Sequence, residues 1–306
     1  MANSPQIAGK ESQQKLGWLY SHRFLLLRRL TQFAVLGLFL LGPLFNIWIL
    51  RGNYSSSLFL DTVPATDPLI MLQSLVTGYW PQLTVFVGAV IIAVVYAIFA
   101  GRLFCSWVCP FNLVSDFAAW LRRKLNIQAK VSVSTSLRYY VLAAVLIGSA
   151  VSGVLVWEWL NPITVLGRGM ISAAWEYRSS QLIWHSLVVG FGAGIWLIVV
   201  IFLLDLFVFE HGWCGHVCPV GALYAVIGKK SLIHIDATRR ADCTKCMDCI
   251  HVCPEPQVLP KPLFAKQDST FILSNECIRC GRCIDVCPEK VFSIKIKFPQ
   301  RGENDN

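Results

Sequence analysis

Charged side chains are scarce in this 306-residue chain: Asp, Glu, Lys and Arg make up 15% of it, against 55% hydrophobic residues. A soluble domain carries roughly 25% charged residues, so much of this chain is expected to face lipid. Spare cysteine is also lacking. All twelve cysteines fall in four motifs, which leaves none for a disulfide framework and excludes a cross-linked secreted scaffold. No phosphate-binding loop, dinucleotide fingerprint, Ser-His-Asp set or pair of catalytic carboxylates stands out. The net charge of +9 does not signal nucleic acid, because the basic excess is concentrated in segments flanking apolar runs.

What is present begins with those cysteines. Cys243-x-x-Cys246-x-x-Cys249-x-x-x-Cys253-Pro254 recurs with the same spacing as Cys277, Cys280, Cys283, Cys287 and Pro288. This is the bacterial ferredoxin run, in which three thiolates of one run hold a [4Fe–4S] cluster and the fourth reaches the neighbouring cluster. The spacing therefore assigns Cys243, Cys246, Cys249 and Cys287 to one cluster, and Cys277, Cys280, Cys283 and Cys253 to the other. Gly281, lacking a Cβ, would let the backbone pass close to inorganic sulfide. Structural zinc usually takes two separated C-x-x-C pairs and fits a duplicated four-cysteine run poorly.

Four apolar runs approach the roughly 20 residues needed to cross a bilayer: 30–50, 83–100, 139–157 and 187–209. The first is too long for a signal segment and lacks a small-residue cleavage site. Lys and Arg set the orientation. Five lie in residues 1–29, and Arg102, Arg122, Arg123, Lys124, Lys130 and Arg138 follow the second span. The other connections hold only Arg51, then Arg168 and Arg178. The positive-inside rule places both termini, and with them every cysteine, in the cytoplasm. In the outer loops, Asp67-Pro68 and Asn161-Pro162 each signal a short helix start. Trp157, Trp159, Trp175, Tyr177 and Trp184 are read as interfacial anchors.

The membrane part carries an internal repeat. Cys105-Ser-Trp-Val-Cys109-Pro110 and Cys214-Gly-His-Val-Cys218-Pro219 are offset by 109 residues, and the same offset carries Arg29 to Arg138 and Trp48 to Trp157. A duplicated two-helix hairpin follows, with its pseudo-two-fold along the membrane normal. On a helix, residues i and i+4 share a face, so each motif is a two-thiolate clip. Cys105, Cys109, Cys214 and Cys218 could form a third thiolate site for a further metal, or a redox-active dithiol pair; the plain alternative is four separate buried thiols. After the first motif, Phe111, Val114, Phe117, Leu121 and Leu125 form a stripe opposite Arg122, Arg123 and Lys124. Leu232–Ile235 and Phe292–Phe298 are predicted to pair as strands, with a short strand at Phe271–Leu273.

The expected architecture is a membrane all-α domain of four transmembrane helices plus a C-terminal small α+β ferredoxin domain with two [4Fe–4S] clusters. Its boundaries are a cytoplasmic tail at 1–29, the membrane domain at 30–230, the ferredoxin domain at 231–299 and a polar tail at 300–306. Asp205, inside the fourth span, is a functional candidate. Glu158 and His185, flanking the outer loop, are candidates for receiving quinol protons. His216, His234 and His251 lie near cysteines, but both ferredoxin runs already hold four thiolates.

Phe104-Cys-Ser-Trp-Val-Cys-Pro110, Glu210-His-Gly-Trp-Cys-Gly-His-Val-Cys-Pro219 and Cys246-Met-Asp-Cys-Ile-His-Val-Cys-Pro-Glu-Pro256 resemble the NapH family. So do Asn53-Tyr-Ser-Ser-Ser57 and Asp61-Thr-Val-Pro64, so the resemblance runs nearly the whole chain. Related membrane polyferredoxins share the C-x-x-x-C-P pair. The resemblance implies a ferredoxin-type quinol dehydrogenase subunit of a periplasmic nitrate reductase system, multi-pass in the bacterial inner membrane. It implies electron transfer from quinol to a NapC-type multihaem cytochrome or a NapG-type iron–sulfur partner, and it transfers no quinol-site residues. A second reading is a redox-maintenance or metal-centre assembly factor using the C-x-x-x-C-P thiols.

Overall fold

Arg23–Phe45 is a 23-residue helix, long and apolar enough to cross a membrane. It begins earlier than the apolar run because Arg23, Arg28 and Arg29 continue the helical repeat, and it carries Pro43 in its last turn. The computed structural model describes residues 8–127, 133–180, 182–192, 194–264 and 269–297. Lys130 and the 300–306 tail lie outside the described residues. Three further apolar helices, Leu83–Ile98, Leu137–Ser152 and Gly194–Phe207, are shorter, at 16, 16 and 14 residues. The fold is mostly helical. Where the sequence suggests one run at 187–209, the chain forms two helices, Ile183–Phe191 and Gly194–Phe207, broken at Gly192 with φ +47°.

The chain divides into two compact units. One consists of Thr31–Val95 and Val108–Tyr224 and contains most of the apolar helices. Asp67 caps the helix Pro68–Val76 by accepting from the Leu69 amide at 2.9 Å, as its Asp-Pro start predicts. The Asn161-Pro162 signal opens a longer helix than expected, Pro162–Ser180. Between the first two apolar helices lies a three-stranded antiparallel sheet that the sequence reading does not foresee: Leu50–Gly52, Ser56–Phe59 and Val63–Thr66. Asn53 Oδ1 closes the first turn on the Ser55 and Ser56 amides, and Leu60 and Asp61 make the second at positive φ.

Two surface expectations in this unit are corrected. Trp157 is buried at 1% exposure and stacks on Trp213 with ring centroids 6.2 Å apart, whereas Trp159 at 81% and Trp184 keep an outward, anchor-like exposure. The helix Phe111–Lys124 buries Phe111, Asn112, Ser115, Ala118, Ala119 and Arg122 and exposes Phe117, Trp120 and Leu125. Arg122 turns inward because the carbonyls of Asp205 and Leu206, at the end of Gly194–Phe207, accept from its guanidinium at 3.2 and 2.9 Å. Arg138 likewise donates to the Gly215 carbonyl at 3.0 Å.

The other unit joins Met1–Leu30, Tyr96–Trp107 and Ala225–Asn306. Ile233–Asp236 pairs antiparallel with Ser293–Ile296, and Phe271 adds a single bridge to Asp236. Side chains of Ile235, Leu259, Ile272, Ile284, Val291 and Phe292 form its core. The stretch after the second apolar helix is bound into this core. Leu232 and Ile233 amides donate to the Ile98 and Phe99 carbonyls at 2.8 and 2.9 Å. Gly228 meets Gly101 backbone to backbone, where a Cβ would lie 2.1 Å from the Gly101 Cα.

Candidate metal centres

The two ferredoxin-type runs fold alike because the same positions take the same backbone. Lys245 and Arg279, each between the first two cysteines of its run, have φ of +59° and +50°. Met247 and Gly281, each just after the second cysteine, have +65° and +75°. Each left-handed pair curls the chain back on itself before a single helical turn, Asp248–His251 in one run and Arg282–Asp285 in the other. Gly281 has a second reason to be glycine: a Cβ there would meet the Phe24 ring at 2.4 Å.

Thiols from both runs meet in two cavities. Cys243, Cys246, Cys249 and Cys287 line one, with Met247 and Pro288 beside them. Cys253, Cys277, Cys280 and Cys283 line the other, with Ile235 and Ile272. Burial, then the charges of Cys287 and Cys246, push the Cys249 thiol up to about 12. Burial and the neighbouring Cys280 and Cys277 push Cys253 well above the ordinary thiol range, and Cys283 likewise. Such thiols resist ionising side by side unless a cationic centre compensates them, and a [4Fe–4S] core meets that need. Among the described residues, no three His, Cys, Asp or Glu side chains converge tightly enough to hold a single metal ion.

The N-terminal segment is part of this construction, although its sequence reads as a plain basic tail. Gly9 N donates to Asp248 Oδ2 at 2.8 Å and Ser12 Oγ to the Asp285 carbonyl at 2.7 Å. The Phe24 and Leu25 amides donate to the two oxygens of Asp285 at 3.2 and 3.1 Å. Those two amides open the helix Arg23–Phe45, so the carboxylate caps it. The hint in the sequence is the unsolved start of that helix, which has no Ser, Thr, Asp or Asn of its own at residue 22.

The C-x-x-x-C-P cysteines are distributed over both units. Cys105 lies on the short helix Leu103–Trp107. Next to it, Ser106 Oγ donates to the Ile278 carbonyl at 2.7 Å and Trp107 Nε1 to the Arg279 carbonyl at 3.2 Å. Arg102 forms a buried ion pair with Glu255 at 2.5 Å. In the other unit, burial and then the charges of Asp205, Cys109 and Cys218 push the Cys214 thiol well up. Asp205 is buried there. It accepts from Ser115 Oγ at 2.7 Å and from the Trp213 amide at 3.0 Å, and Ser115 Oγ is 3.4 Å from Cys214 Sγ.

Of the remaining candidates, Glu158 Oε1 lies 3.4 Å from both Ser55 Oγ and Thr164 Oγ1, and Arg168 donates to its other oxygen at 3.1 Å. His185 is exposed beside Glu176. His234 sits between the Ser231 and Ile272 carbonyls, a packing role in the strand pair.

Comparison with known proteins gives two domain families. A 4Fe-4S binding domain matches residues 82–128 and again 189–236, and a 4Fe-4S dicluster domain matches 235–288. The ferredoxin-type protein NapH of Haemophilus influenzae is 53% identical over 99% of this chain and 100% of its own length. NapH of Escherichia coli K12 is 52% identical over 97% of this chain and 98% of its own. The methylamine utilization ferredoxin-type protein MauN of Methylorubrum extorquens is 43% identical over 92% of each. No solved structure matches.

Proposed function

This chain belongs to the NapH family of ferredoxin-type proteins, iron–sulfur electron-transfer proteins, and from that premise we propose that it relays electrons from membrane quinol toward periplasmic nitrate reduction. Cys243, Cys246, Cys249 and Cys287 hold one [4Fe–4S] cluster, and Cys253, Cys277, Cys280 and Cys283 the other. The observation that carries this assignment is the pair of cavities, each lined by four thiols drawn from both runs. Bound clusters supply one-electron redox chemistry; the chain supplies the thiolates, a dry wall of Ile235 and Ile272, and the approach.

The approach has a direction. The helix bearing Cys105 is hydrogen-bonded to the carbonyls of Ile278 and Arg279, inside the Cys277–Cys283 run. Cys246 and Met247 of the other centre are exposed to solvent. A cluster held by Cys253, Cys277, Cys280 and Cys283 would accept electrons on the side of the Cys105 helix, and one held by Cys243, Cys246, Cys249 and Cys287 would pass them on beside the exposed Cys246. Cys109, Cys214 and Cys218, which share one unit, are read as ligands of a third thiolate site. Replacing these three and Cys105 by serine should lower bound iron or zinc, and unchanged metal content would remove this site from the scheme.

The four apolar helices are the membrane spans, with both termini and all cysteine motifs cytoplasmic in the inner membrane. Outward-facing Val94, Ile147, Val151, Val200 and Leu203 are exposed large apolar residues, as lipid contact requires. Partners are a NapC-type cytochrome and a NapG-type iron–sulfur protein. The test is to purify the protein with these partners, add reduced quinone anaerobically and follow the clusters by EPR. Reduction is expected; clusters that stay oxidised with every partner present would overturn the quinol reading.

A further inference from the structure

The buried hydrogen-bond donors within the unit of Thr31–Val95 and Val108–Tyr224 that have no acceptor among the described residues include four on uncharged side chains, Tyr54 Oη, Gln73 Nε2, Trp157 Nε1 and Trp213 Nε1. A buried donor left unmade costs on the order of 1–3 kcal/mol, so four in one neighbourhood ask for an explanation. Their positions are set by groups that leave the donors over. Gln73 Oε1 accepts from Ser149 Oγ at 3.0 Å and from the Trp157 amide at 3.1 Å. The Trp157 backbone N–H can only donate, so the amide cannot be flipped and its NH2 remains available. The Trp157 and Trp213 indoles lie nearly parallel, at 15°. The Tyr54 ring packs on Phe39 and against Gly167, where a Cβ would come within 2.8 Å of it.

The set is tied together and borders the thiols. Ser55, next to Tyr54, shares a 2.8 Å hydrogen bond with Thr164, and both reach Glu158, the neighbour of Trp157. Trp213 directly precedes Cys214. Burial, then the charge of Cys109, push the Tyr54 hydroxyl up, which keeps it a donor. Burial and the charge of Glu158 likewise raise Asp67, to about 6. Two carboxylates near neutral donors disfavour an anion. The arrangement suits a neutral ring bearing acceptor oxygens.

We propose that Tyr54, Gln73, Trp157 and Trp213 form the binding site for the headgroup of a quinone or quinol, its oxygens accepting from these donors and its ring lying against the indoles. This rests on the quinol reading above and adds the residues that recognise the substrate. Because the Tyr54 hydroxyl has no acceptor among the described residues, Tyr54→Phe should fold as well as the wild type; Trp157→Phe also trims a buried ring stacked on Trp213, so its fold is checked by cluster absorbance before its binding is read.

The test is binding of 2-heptyl-4-hydroxyquinoline N-oxide, a quinol analogue, to the full-length protein in lipid nanodiscs, followed by quenching of the analogue's fluorescence. Each variant should weaken binding about tenfold, the equivalent of one lost hydrogen bond of about 1.4 kcal/mol. Trp196→Phe, at a 69% exposed position, should match the wild type. If the wild type binds and Tyr54→Phe and Trp157→Phe bind equally well, water rather than quinone satisfies these donors, and this site falls while the quinol reading stands. If the wild type binds no analogue, both fall.

Discussion

Arg102 joins the stretch that carries Cys105 to the ferredoxin-type core, and its replacement shows how much that joint contributes. Its guanidinium, 1% exposed, donates to Glu255 Oε1 at 2.5 Å and to the Glu276 carbonyl at 2.7 Å. Arg102→Met keeps the apolar stem and removes the charge. Glu255 then retains Gln257 Nε2 at 2.7 Å but loses its cationic partner in a site 2% exposed. Breaking a buried pair from one side costs about 3–5 kcal/mol, because the stranded carboxylate is left desolvated. For a unit of this size, about 4 °C of melting temperature accompanies each kcal/mol, so a fall of about 12–20 °C is expected. The assay is the loss of cluster absorbance on anaerobic heating of the detergent-purified full-length protein. Arg102→Met with Glu255→Met should recover at least about half of the fall, since removing both members of a buried pair is far milder than removing one. A single variant melting within about 2 °C of the wild type, or a double variant no better than the single, would refute the reasoning.

Further outcomes follow from the same geometry. Cys243→Ala should lower iron from about eight to about four atoms per chain and alter the EPR signal of the second cluster; a variant with full iron and native spectra would break the cross-run assignment. His234, whose pKa is lowered first by burial and then by the charge of Arg279, binds fewer protons folded than unfolded. Its contribution is therefore complete above the ordinary value of 6.5 and is lost as pH falls from there toward the folded pKa. The wild-type melting temperature should drop over that window, and His234→Gln should show a flatter profile there. Gly281→Ala should destabilise the unit by about 1–3 kcal/mol through left-handed strain and overlap with Phe24, read as earlier cluster bleaching.

The features legible in the sequence are those whose information is local. Ligand spacing from Cys243 to Cys253 and from Cys277 to Cys287 specifies how the chain wraps, because the left-handed positions fall at the same places in each run. A short β-type run marked Ile233–Asp236 and alternation with Lys295 and Lys297 marked its partner Ser293–Ile296, and Asp67-Pro68 marked a helix start. The sheet over 50–66 was missed: its strands are three and four residues long, too short for alternation to register, and only the turns at Asn53 and Asp61 signal it.

By itself, then, the sequence determined which thiols are available, their spacing, and the apolar helices that accompany them, since these depend on neighbours within a few residues. Tertiary structure alone decided the rest. It brought Ser12 to Asp285, 273 positions away, and turned Arg122 from a surface charge into a clasp on the end of Gly194–Phe207. It also took Trp157 from the expected interface to a stack on Trp213. In each case a buried polar group had to find its partner, and where that partner lies along the chain is set by packing, which no local pattern encodes.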